Sequence, residues 1–292
     1  MFLRYPGGKS KVKDLILKYM PPDTKEYREP FIGGGSVFLN VPSTKLRWIN
    51  DLNPGLIAVY EALRDRPDEF IAKCREILPA SPGEEEVATK GTGKKYNKRL
   101  GIIFDAFKAD EGMDQALRYF FINRTVWGGR VTYDPSCSSR LYYSNPSGWN
   151  IAHKPGLLES VAARIAGTLI TCGDYAHLFD SDGDSVWIYL DPPYYVDTKL
   201  SKQSKLYQYG FNWDDHKRFV EACRGSQHRI AISYDDVPEV RDWFSGFYIY
   251  EHSWTYSGTS NKEKVRGKEL VITNYKRNEA LFTGGHETIS CF

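Results

Sequence analysis

The spacing of hydrophobic and polar positions changes repeatedly between helical and strand-like along residues 1–65. The pattern predicts a helix over 12–19, a strand over 27–31, the start of a helix over 36–40, a strand over 46–50 and a helix over 54–63. A glycine cluster, Gly33-Gly34-Gly35, separates the first strand from the next helix. This succession is typical of the beginning of a doubly wound α/β sheet.

The pattern changes between residues 66 and 165. Helical spacing predicts helices over 68–78, 97–108 and 114–123, and a Gly-, Pro- and charge-rich stretch predicts a loop over 79–95. Strand-like segments return at 169–171, 186–190, 229–233, 247–250 and 270–275. We therefore expect one catalytic α/β domain, formed by 1–65 and 166–292, with an insertion of small-domain size over 66–165.

Composition excludes several classes of protein. With 292 residues, 41% of them hydrophobic and 26% charged, the chain is expected to be globular rather than disordered. It contains no apolar run of about 20 residues and no secretory signal, so we expect neither a membrane span nor export. The five cysteines are scattered, which argues against a disulfide framework or a zinc site and favours a reducing cytoplasm. The net charge of +2 does not decide for or against a nucleic-acid partner.

The glycine cluster belongs to the segment 29–36, Glu-Pro-Phe-Ile-Gly-Gly-Gly-Ser. Glycines after a strand and before a helix allow a ligand to approach the backbone closely, although a flexible turn is an equally good interpretation of the motif alone. The segment is not a P-loop, because it lacks the Gly-Lys-Ser/Thr ending. Gly8-Lys9-Ser10 has that ending, but the glycine that a P-loop requires five residues before Gly8 is absent.

Asp51 lies 18 residues after Gly33, at the carboxyl end of the next predicted strand. An acidic residue at this position can accept hydrogen bonds from the ribose hydroxyls of an adenosine cofactor. Capping of the helix that begins at Pro54 is the alternative, and either Asp51 or Asn53 could provide the cap.

The segment 191–195, Asp-Pro-Pro-Tyr-Tyr, directly follows the apolar strand over 186–190. Its carboxylate is expected at the carboxyl edge of a central strand, where open α/β sheets bind ligands. The prolines stiffen the chain and leave carbonyl oxygens free to accept, and an aromatic ring follows at once. These groups can hold an amino group and stack on a flat ring; the alternative is a Pro-rich turn.

The order of four motifs resembles that of the DNA adenine methyltransferase (Dam) family, the alpha group of N6-adenine-specific DNA methyltransferases. The motifs are Arg4-Tyr5-Pro6-Gly7-Gly8-Lys9, the segment 29–36, Asp51 and the segment 191–194, and the similarity continues through 257–261 and 269–275. The resemblance implies a class I S-adenosylmethionine-dependent methyltransferase, with a Rossmann-like sheet and an inserted, mainly helical DNA-recognition domain carrying a β-hairpin.

The resemblance also implies a mechanism and its residues. S-adenosylmethionine would be the cofactor and S-adenosylhomocysteine its product, with no metal involved, and the target adenine would be flipped out of duplex DNA. Asp191 and the Pro192 carbonyl would accept the amino hydrogens, with Tyr194 stacking on the base. The catalytic residues expected are Asp191, Pro192, Pro193 and Tyr194. The cofactor-binding residues expected are Tyr5, Lys9, Phe31, Gly33, Gly35, Asp51 and Asp191.

The insertion would read the DNA. Residues 123–133 resemble the family's Asn-Arg segment and recognition hairpin, and Gly128-Gly129 is a two-residue turn signal. The DNA-binding residues expected are Arg4, Asn123, Arg124, Trp127 and Arg130. Trp127 beside the turn could wedge between bases, or it could be an ordinary core residue. Family members of enteric type carry Asn-Gly-Leu and then Cys-Arg at the tip. Because Arg130 is displaced from that arrangement, the resemblance does not fix GATC as the target, and the target sequence stays open.

Two basic stretches, 90–99 and 262–268, could contact phosphates or could be solvated loops, and 197–211 is expected to close over the flipped base. We expect a monomer in solution, with an oligomer on DNA left open, located in a bacterial nucleoid or a phage-infected cell. Two rival functions remain: cytosine-N4 methylation, which uses the same amino chemistry, and a catalytically idle DNA-binding relative.

Overall fold

The structure is a computed structural model, which describes residues 1–5, 7–42, 45–78, 87–89, 95–97, 114–125, 150–195, 210–255, 266–282 and 289–290. Two compact units make up the chain. The first unit comprises Met1–Gly8, Gly33–Leu39 and Asn53–Cys172, and the second comprises Lys9–Ile32, Asn40–Leu52 and Gly173–Phe292. None of the helices in the described ranges combines the length and apolar character needed to cross a membrane.

The first unit is mainly helical. Its helices are α2 (Pro54–Asp65), α3 (Pro67–Ile77), α4 (Gln115–Thr125) and α5 (Leu157–Ile165), and its strands are β3 (Val87–Thr89), β4 (Lys95–Asn97) and β5 (Leu169–Cys172). Helix α2 begins where its sequence favours it, because the Asn53 side chain accepts from the backbone N–H groups of Gly55 and Leu56 and Pro54 occupies the first turn.

The second unit contains a mixed α/β sheet. Its helices are α1 (Lys13–Leu17), α6 (His177–Asp180), α7 (Trp213–Gly225) and α8 (Pro238–Trp243). Its strands are β1 (Glu26–Glu29), β2 (Leu46–Asp51), β6 (Val186–Leu190), β7 (Arg229–Asp235), β8 (Tyr248–Thr255), β9 (Arg266–Thr273) and β10 (Ile289–Ser290).

These seven strands are neighbours in the order β10-β8-β9-β7-β6-β1-β2. Strands β2, β1, β6 and β7 are parallel, whereas β9 runs antiparallel to both β7 and β8. The strand β6 is buried along its whole length and belongs to the core of this unit, together with residues of α7 and β7. Such a strand reads as a continuous apolar run because both of its faces are covered.

The structure corrects several predicted elements. The loop expected over 79–95 contains β3 and the start of β4, which pair antiparallel, and the helix expected over 97–108 cannot begin at Asn97 because that residue ends β4. The helix expected over 36–40 is a single 3₁₀ turn, Phe38–Asn40. Strand β9 begins at Arg266, four residues before the segment expected for it, because register with β8 extends that far.

Candidate active site and neighbouring features

The carboxyl ends of four parallel strands meet at one edge of the second unit's sheet. Glu29 ends β1, Asp51 ends β2, Asp191 directly follows β6 and Asp235 ends β7. The order of the strands reverses between β1 and β6, because β2 follows β1 on one side and β6 comes later in the chain on the other. Ligands of open α/β sheets bind at the carboxyl edge beside such a reversal.

Asp191 holds an ammonium group at this edge. Lys9 Nζ donates to Asp191 Oδ1 at 2.8 Å and lies 4.8 Å from the centre of the Tyr194 ring. The Lys9 side chain is only 6% exposed, while that of Asp191 is 23% exposed and so remains accessible to a substrate. The structure therefore brings together Lys9, Asp191 and Tyr194, three of the residues that the sequence proposed for a site.

Tyr194 is fixed by two contacts. Its ring stacks on Tyr234 with centroids 5.6 Å apart, and its hydroxyl donates to Glu269 Oε2 at 3.1 Å. Tyr234 in turn forms a 2.6 Å hydrogen bond with His216 Nδ1, and burial lowers the pKa of His216 to about 4, so His216 is neutral near pH 7. The ring of Tyr194 is therefore supported from beneath by a buried polar and aromatic layer.

Burial is the largest influence on the pKa values of Asp191 and Asp235. It raises the pKa of Asp191 above its ordinary value, while the Lys9 ammonium and the neighbouring Tyr194 hydroxyl lower it. Burial also raises the pKa of Asp235 to about 6, with Lys9 acting to lower it and Asp191 to raise it. Both groups bind a proton more readily than an exposed aspartate does.

Glu269 and Asp235 are candidate site residues that the sequence analysis did not assign. Asp235 occupies the same strand-end position as Asp51, so the rule that identified Asp51 could have identified it too. Glu269 lies opposite Asp235 in the antiparallel register of β9 with β7, which brings the beginning of β9 to the carboxyl edge. No sequence signal fixes that register, and Glu269 was noted only as part of a closing segment that resembles the family.

Phe31 belongs to an aromatic cluster in the second unit. Its ring contacts those of Tyr175, Phe211 and Phe219, with centroids 5.3 to 5.9 Å apart. Tyr175 is 4% exposed, and its hydroxyl has no hydrogen-bond partner among the described residues. An aromatic wall with an unsatisfied buried hydroxyl suits a flat heterocycle that offers a polar atom.

Asp51 is held at the end of β2 by backbone contacts. Its carbonyl accepts from Gly173 N at 3.1 Å, and the amide of the preceding Asn50 donates to the carbonyls of Pro30 and Gly173. The helix cap that the sequence allowed for either Asp51 or Asn53 is provided by Asn53. The Asp51 side chain is therefore not the cap of α2.

The glycine loop lies in the first unit and requires glycine at two positions. Gly33 and Gly35 have φ values of +45° and +66°, a conformation that side chains disfavour. A Cβ added at Gly35 would lie 2.5 Å from the Tyr60 hydroxyl, and one added at Gly33 would lie 3.0 Å from the Tyr5 ring. Tyr5 therefore packs directly against the loop.

The expected DNA-binding residues also lie in the first unit. Arg4 N donates to Asn123 Oδ1 at 2.9 Å, and the Asn123 amide donates to the Arg4 carbonyl at 2.7 Å. Arg124 is 4% exposed, and burial, with a smaller contribution from Arg4, lowers its pKa to about 9. Trp127, Arg130 and the predicted hairpin lie outside the described residues, as do residues 197–209, 257–261 and most of the two basic stretches.

Several other proteins match this chain over most of its length. The model of the family described as "D12 class N6 adenine-specific DNA methyltransferase" matches residues 5–258. The Type II methyltransferase M1.LlaDCHI of Lactococcus lactis subsp. cremoris is 25% identical, over 94% of this chain and 95% of its own length. The DNA adenine methylase of Escherichia coli (strain K12) is 26% identical, over 94% and 95%. A solved rRNA methylase from Streptococcus thermophilus covers 90% of this chain and 94% of its own at 7% identity, but its TM-score of 0.29 is too low to support an inference.

Proposed function

The chain belongs to the D12 class of N6 adenine-specific DNA methyltransferases, and on that premise we propose that its Asp191–Tyr194 segment performs the methyl transfer. The observation that carries this assignment is the Lys9 ammonium, which donates to Asp191 Oδ1 at 2.8 Å and lies 4.8 Å from the Tyr194 ring. A nitrogen donor is thus already held between the acceptor and the aromatic ring that an adenine amino group would use.

The chemistry follows from the properties of the adenine amino group. Its lone pair is delocalised into the ring, which makes the nitrogen a weak nucleophile. Asp191 and the Pro192 carbonyl would accept the two amino hydrogens and so favour a tetrahedral nitrogen with a localised lone pair. The nitrogen would then bond to the methyl carbon as the bond from that carbon to the cofactor's sulfur breaks, with S-adenosylhomocysteine as the leaving group. The nitrogen would also lose a proton, which Asp191 can accept, while Pro193 would keep the segment rigid. Preorganised acceptors of this kind are a main source of catalysis.

The target base must leave the duplex to reach this edge of the sheet. Tyr194 would then stack on it, with the phenol held by Glu269 and the ring supported by Tyr234. Because Tyr194 is already fixed, little of the binding free energy is spent on ordering it.

The family implies S-adenosylmethionine, which supplies the methyl group. The second unit fits an adenosine: Phe31 offers an aromatic face, Tyr175 an unsatisfied buried hydroxyl, and Asp51 a carboxylate at a strand end. Lys9 and Asp191 are proposed to face the reacting end of the cofactor. Tyr5, Gly33 and Gly35 remain predicted cofactor residues, and their assignment rests on the resemblance to the family.

We also propose that the protein has the class I methyltransferase fold and an inserted recognition domain. The parallel strands, with their order reversed between β1 and β6, support the former. Helices α3, α4 and α5, with the Arg4 backbone bonded to the Asn123 amide and Arg124 buried beside it in the sequence, support a role for the first unit in holding DNA. Double-stranded DNA and a monomeric enzyme in solution are proposed on the same basis.

The proposal is tested by base analysis of DNA from cells that express the protein. We expect N6-methyladenine and no N4-methylcytosine. Asp191→Ala should lower the rate of methyl transfer by about 100- to 1,000-fold, which is the usual effect of removing one preorganised acceptor.

Asp184→Ala provides a matched control. Asp184 is an exposed carboxylate in the turn before β6 and is paired with Lys25 at 2.6 Å. Its variant should methylate DNA at the parental rate. If Asp191→Ala also turned over at that rate, the reaction would take place elsewhere in the protein.

A further inference from the structure

Lys9 occupies the acceptor that the substrate needs. Its ammonium donates to Asp191 Oδ1 at 2.8 Å and lies over the Tyr194 ring at 4.8 Å. An ammonium and an adenine amino group are both N–H donors, so they compete for the same carboxylate oxygen and the same aromatic ring. If the flipped base donates to this same oxygen while it stacks on Tyr194, Lys9 must first move off Asp191 Oδ1.

A displaced Lys9 cannot simply enter water. Its side chain is only 6% exposed, and a buried ammonium without a counter-charge is strongly unfavourable. A second carboxylate must therefore be near enough to receive the ammonium through a rotation of the side chain.

Glu269 is placed to provide that second carboxylate. It is 1% exposed, and its Oε2 lies 4.0 Å from Lys9 Nζ. The same oxygen accepts from the Tyr194 hydroxyl at 3.1 Å, which fixes its position. The antiparallel register of β9, with Glu269 opposite Asp235, holds the side chain at the carboxyl edge of the sheet.

We propose that Glu269 is a positioning residue for methyl transfer, which receives the Lys9 ammonium when the adenine amino group replaces it at Asp191. In the protein without DNA, Lys9 neutralises Asp191 and keeps its carboxylate oriented. When the base arrives, the ammonium shifts toward Glu269, and Asp191 Oδ1 becomes available as a charged acceptor. The proposal rests on the assignment of Asp191 as the acceptor of the amino group.

Glu269→Gln is the variant that tests the proposal. Glutamine keeps the size of the side chain and an oxygen that can accept from Tyr194, but it removes the charge that attracts Lys9. Methyl transfer is measured in a single turnover, with saturating cofactor and a duplex that contains the site found by methylation-aware sequencing. We expect the rate to fall by about tenfold or more, with cofactor affinity changed by no more than about twofold.

A double-mutant cycle with Lys9→Met separates positioning from a general structural role. Without the ammonium there is nothing for Glu269 to receive, so Lys9→Met combined with Glu269→Gln should be no slower than Lys9→Met alone. The same comparison is made on the affinity for the duplex in the presence of S-adenosylhomocysteine, which is measurable even in inactive variants. If the fold-losses of the two single variants multiply in the double variant, both in methyl-transfer rate and in duplex affinity, the proposal is contradicted.

Two further variants complete the test. Glu269→Asp keeps the charge on a shorter side chain, and we expect a rate between those of the parent and Glu269→Gln; a rate equal to either would count against the proposal. Glu251→Gln removes a carboxylate from the neighbouring strand β8, where Glu251 pairs with Arg241 at 2.6 Å, and should leave the rate unchanged.

Asp191→Asn distinguishes a failure of this proposal from a failure of the assigned active site. If Asp191→Asn is inactive while Glu269→Gln turns over like the parent, Glu269 has no positioning role but Asp191 keeps its own. If Asp191→Asn turns over like the parent, the assigned acceptor is wrong and the role of Glu269 is overturned with it.

Discussion

Asp235 shows how the surroundings of one residue set its protonation. Burial raises its pKa to about 6. The positive charge of Lys9 acts to lower this pKa, and the negative charge of Asp191 acts to raise it. The folded protein therefore binds a proton at Asp235 more tightly than the unfolded chain does. Above pH 6 the folded state must hold this carboxylate charged in a poorly solvated position, which costs stability; below the ordinary value of 3.8 the cost disappears.

Asp235→Asn should therefore stabilise the protein near neutral pH. We expect the free energy of unfolding at pH 7.5 to rise by about 1–2 kcal/mol, less than the full shift implies because the side chain is partly exposed. The gain should shrink steadily as the pH falls from 6 toward 4, which denaturant titrations at several pH values would reveal. A gain independent of pH would show that charge is not its cause.

At the scale of residues, the sequence revealed those site groups that follow a parallel strand. Asp51 and Asp191 were predicted because each stands at the carboxyl end of a predicted strand, and both lie at the carboxyl edge of the sheet. Glu269 could not be found in this way, because it precedes the apolar run of an antiparallel strand and reaches the edge through register alone. The pattern of a strand's residues does not show whether it runs parallel or antiparallel to its neighbours. For that reason the sequence did not place Glu269 at the carboxyl edge.

At the scale of elements, long apolar runs and strong caps were the features that the sequence determined. Strand β6 and helix α2 lie where they were predicted, since one is an uninterrupted buried run and the other begins with Asn53 and Pro54. The segment 36–40 was overestimated as a helix, because the positive φ of Gly35 and the short 3₁₀ turn depend on packing around Tyr60. The short strands β3 and β4 carry too few residues for a periodic signal.

The cap of α2 and the acidic end of β2 can be separated by two substitutions. Asn53→Ala removes an acceptor for the N–H groups of Gly55 and Leu56, so the free energy of unfolding should fall by about 1 kcal/mol, with cofactor affinity unchanged.

Asp51→Ala should instead weaken S-adenosylmethionine binding by about 1.5–3 kcal/mol, the range for hydrogen bonds to a charged group. Calorimetric titration and thermal unfolding of both variants provide the two measurements. Unchanged cofactor affinity in Asp51→Ala would remove that residue from the cofactor site.

At the scale of the whole molecule, the two units hold different sets of residues. Lys9, Asp191, Tyr194 and Glu269 all belong to the second unit, whereas the segment 66–165 lies within the first. The sequence predicted the α/β character of the sheet from its apolar strands. The division into a catalytic domain and a recognition insertion remains a prediction, because the hairpin that defines the insertion's role lies outside the described residues.

Alanine substitutions of Trp127 and Arg130 should affect methylation in different ways if the predicted hairpin enters DNA. Trp127→Ala removes a ring that stacks on or wedges between bases, a contact of about 1–3 kcal/mol, and should slow methylation. The loss should be smaller on a duplex whose target adenine is mispaired. Arg130→Ala should relax specificity at one base pair by about 1–3 kcal/mol if the guanidinium contacts a guanine edge.

Methylation rates on the native site and its single-base variants, at two salt concentrations, distinguish these roles. A uniform loss for Arg130→Ala on every sequence, with the salt dependence reduced by about one unit of slope, would assign Arg130 to a phosphate instead. Parental behaviour of both variants would mean that another part of the chain reads the target.

The position of β9 also affects how the protein folds while it is being synthesised on the ribosome. Strand β9 lies between β7 and β8 in space but follows both in the chain, so a nascent polypeptide emerges with two strands whose facing edges stay open until β9 arrives. Open strand edges promote wrong pairing, so the protein is exposed to misassembly during this interval of synthesis. Glu269 is carried by the same strand, so the carboxylate proposed to receive Lys9 reaches its place only after β7 and β8 have been synthesised.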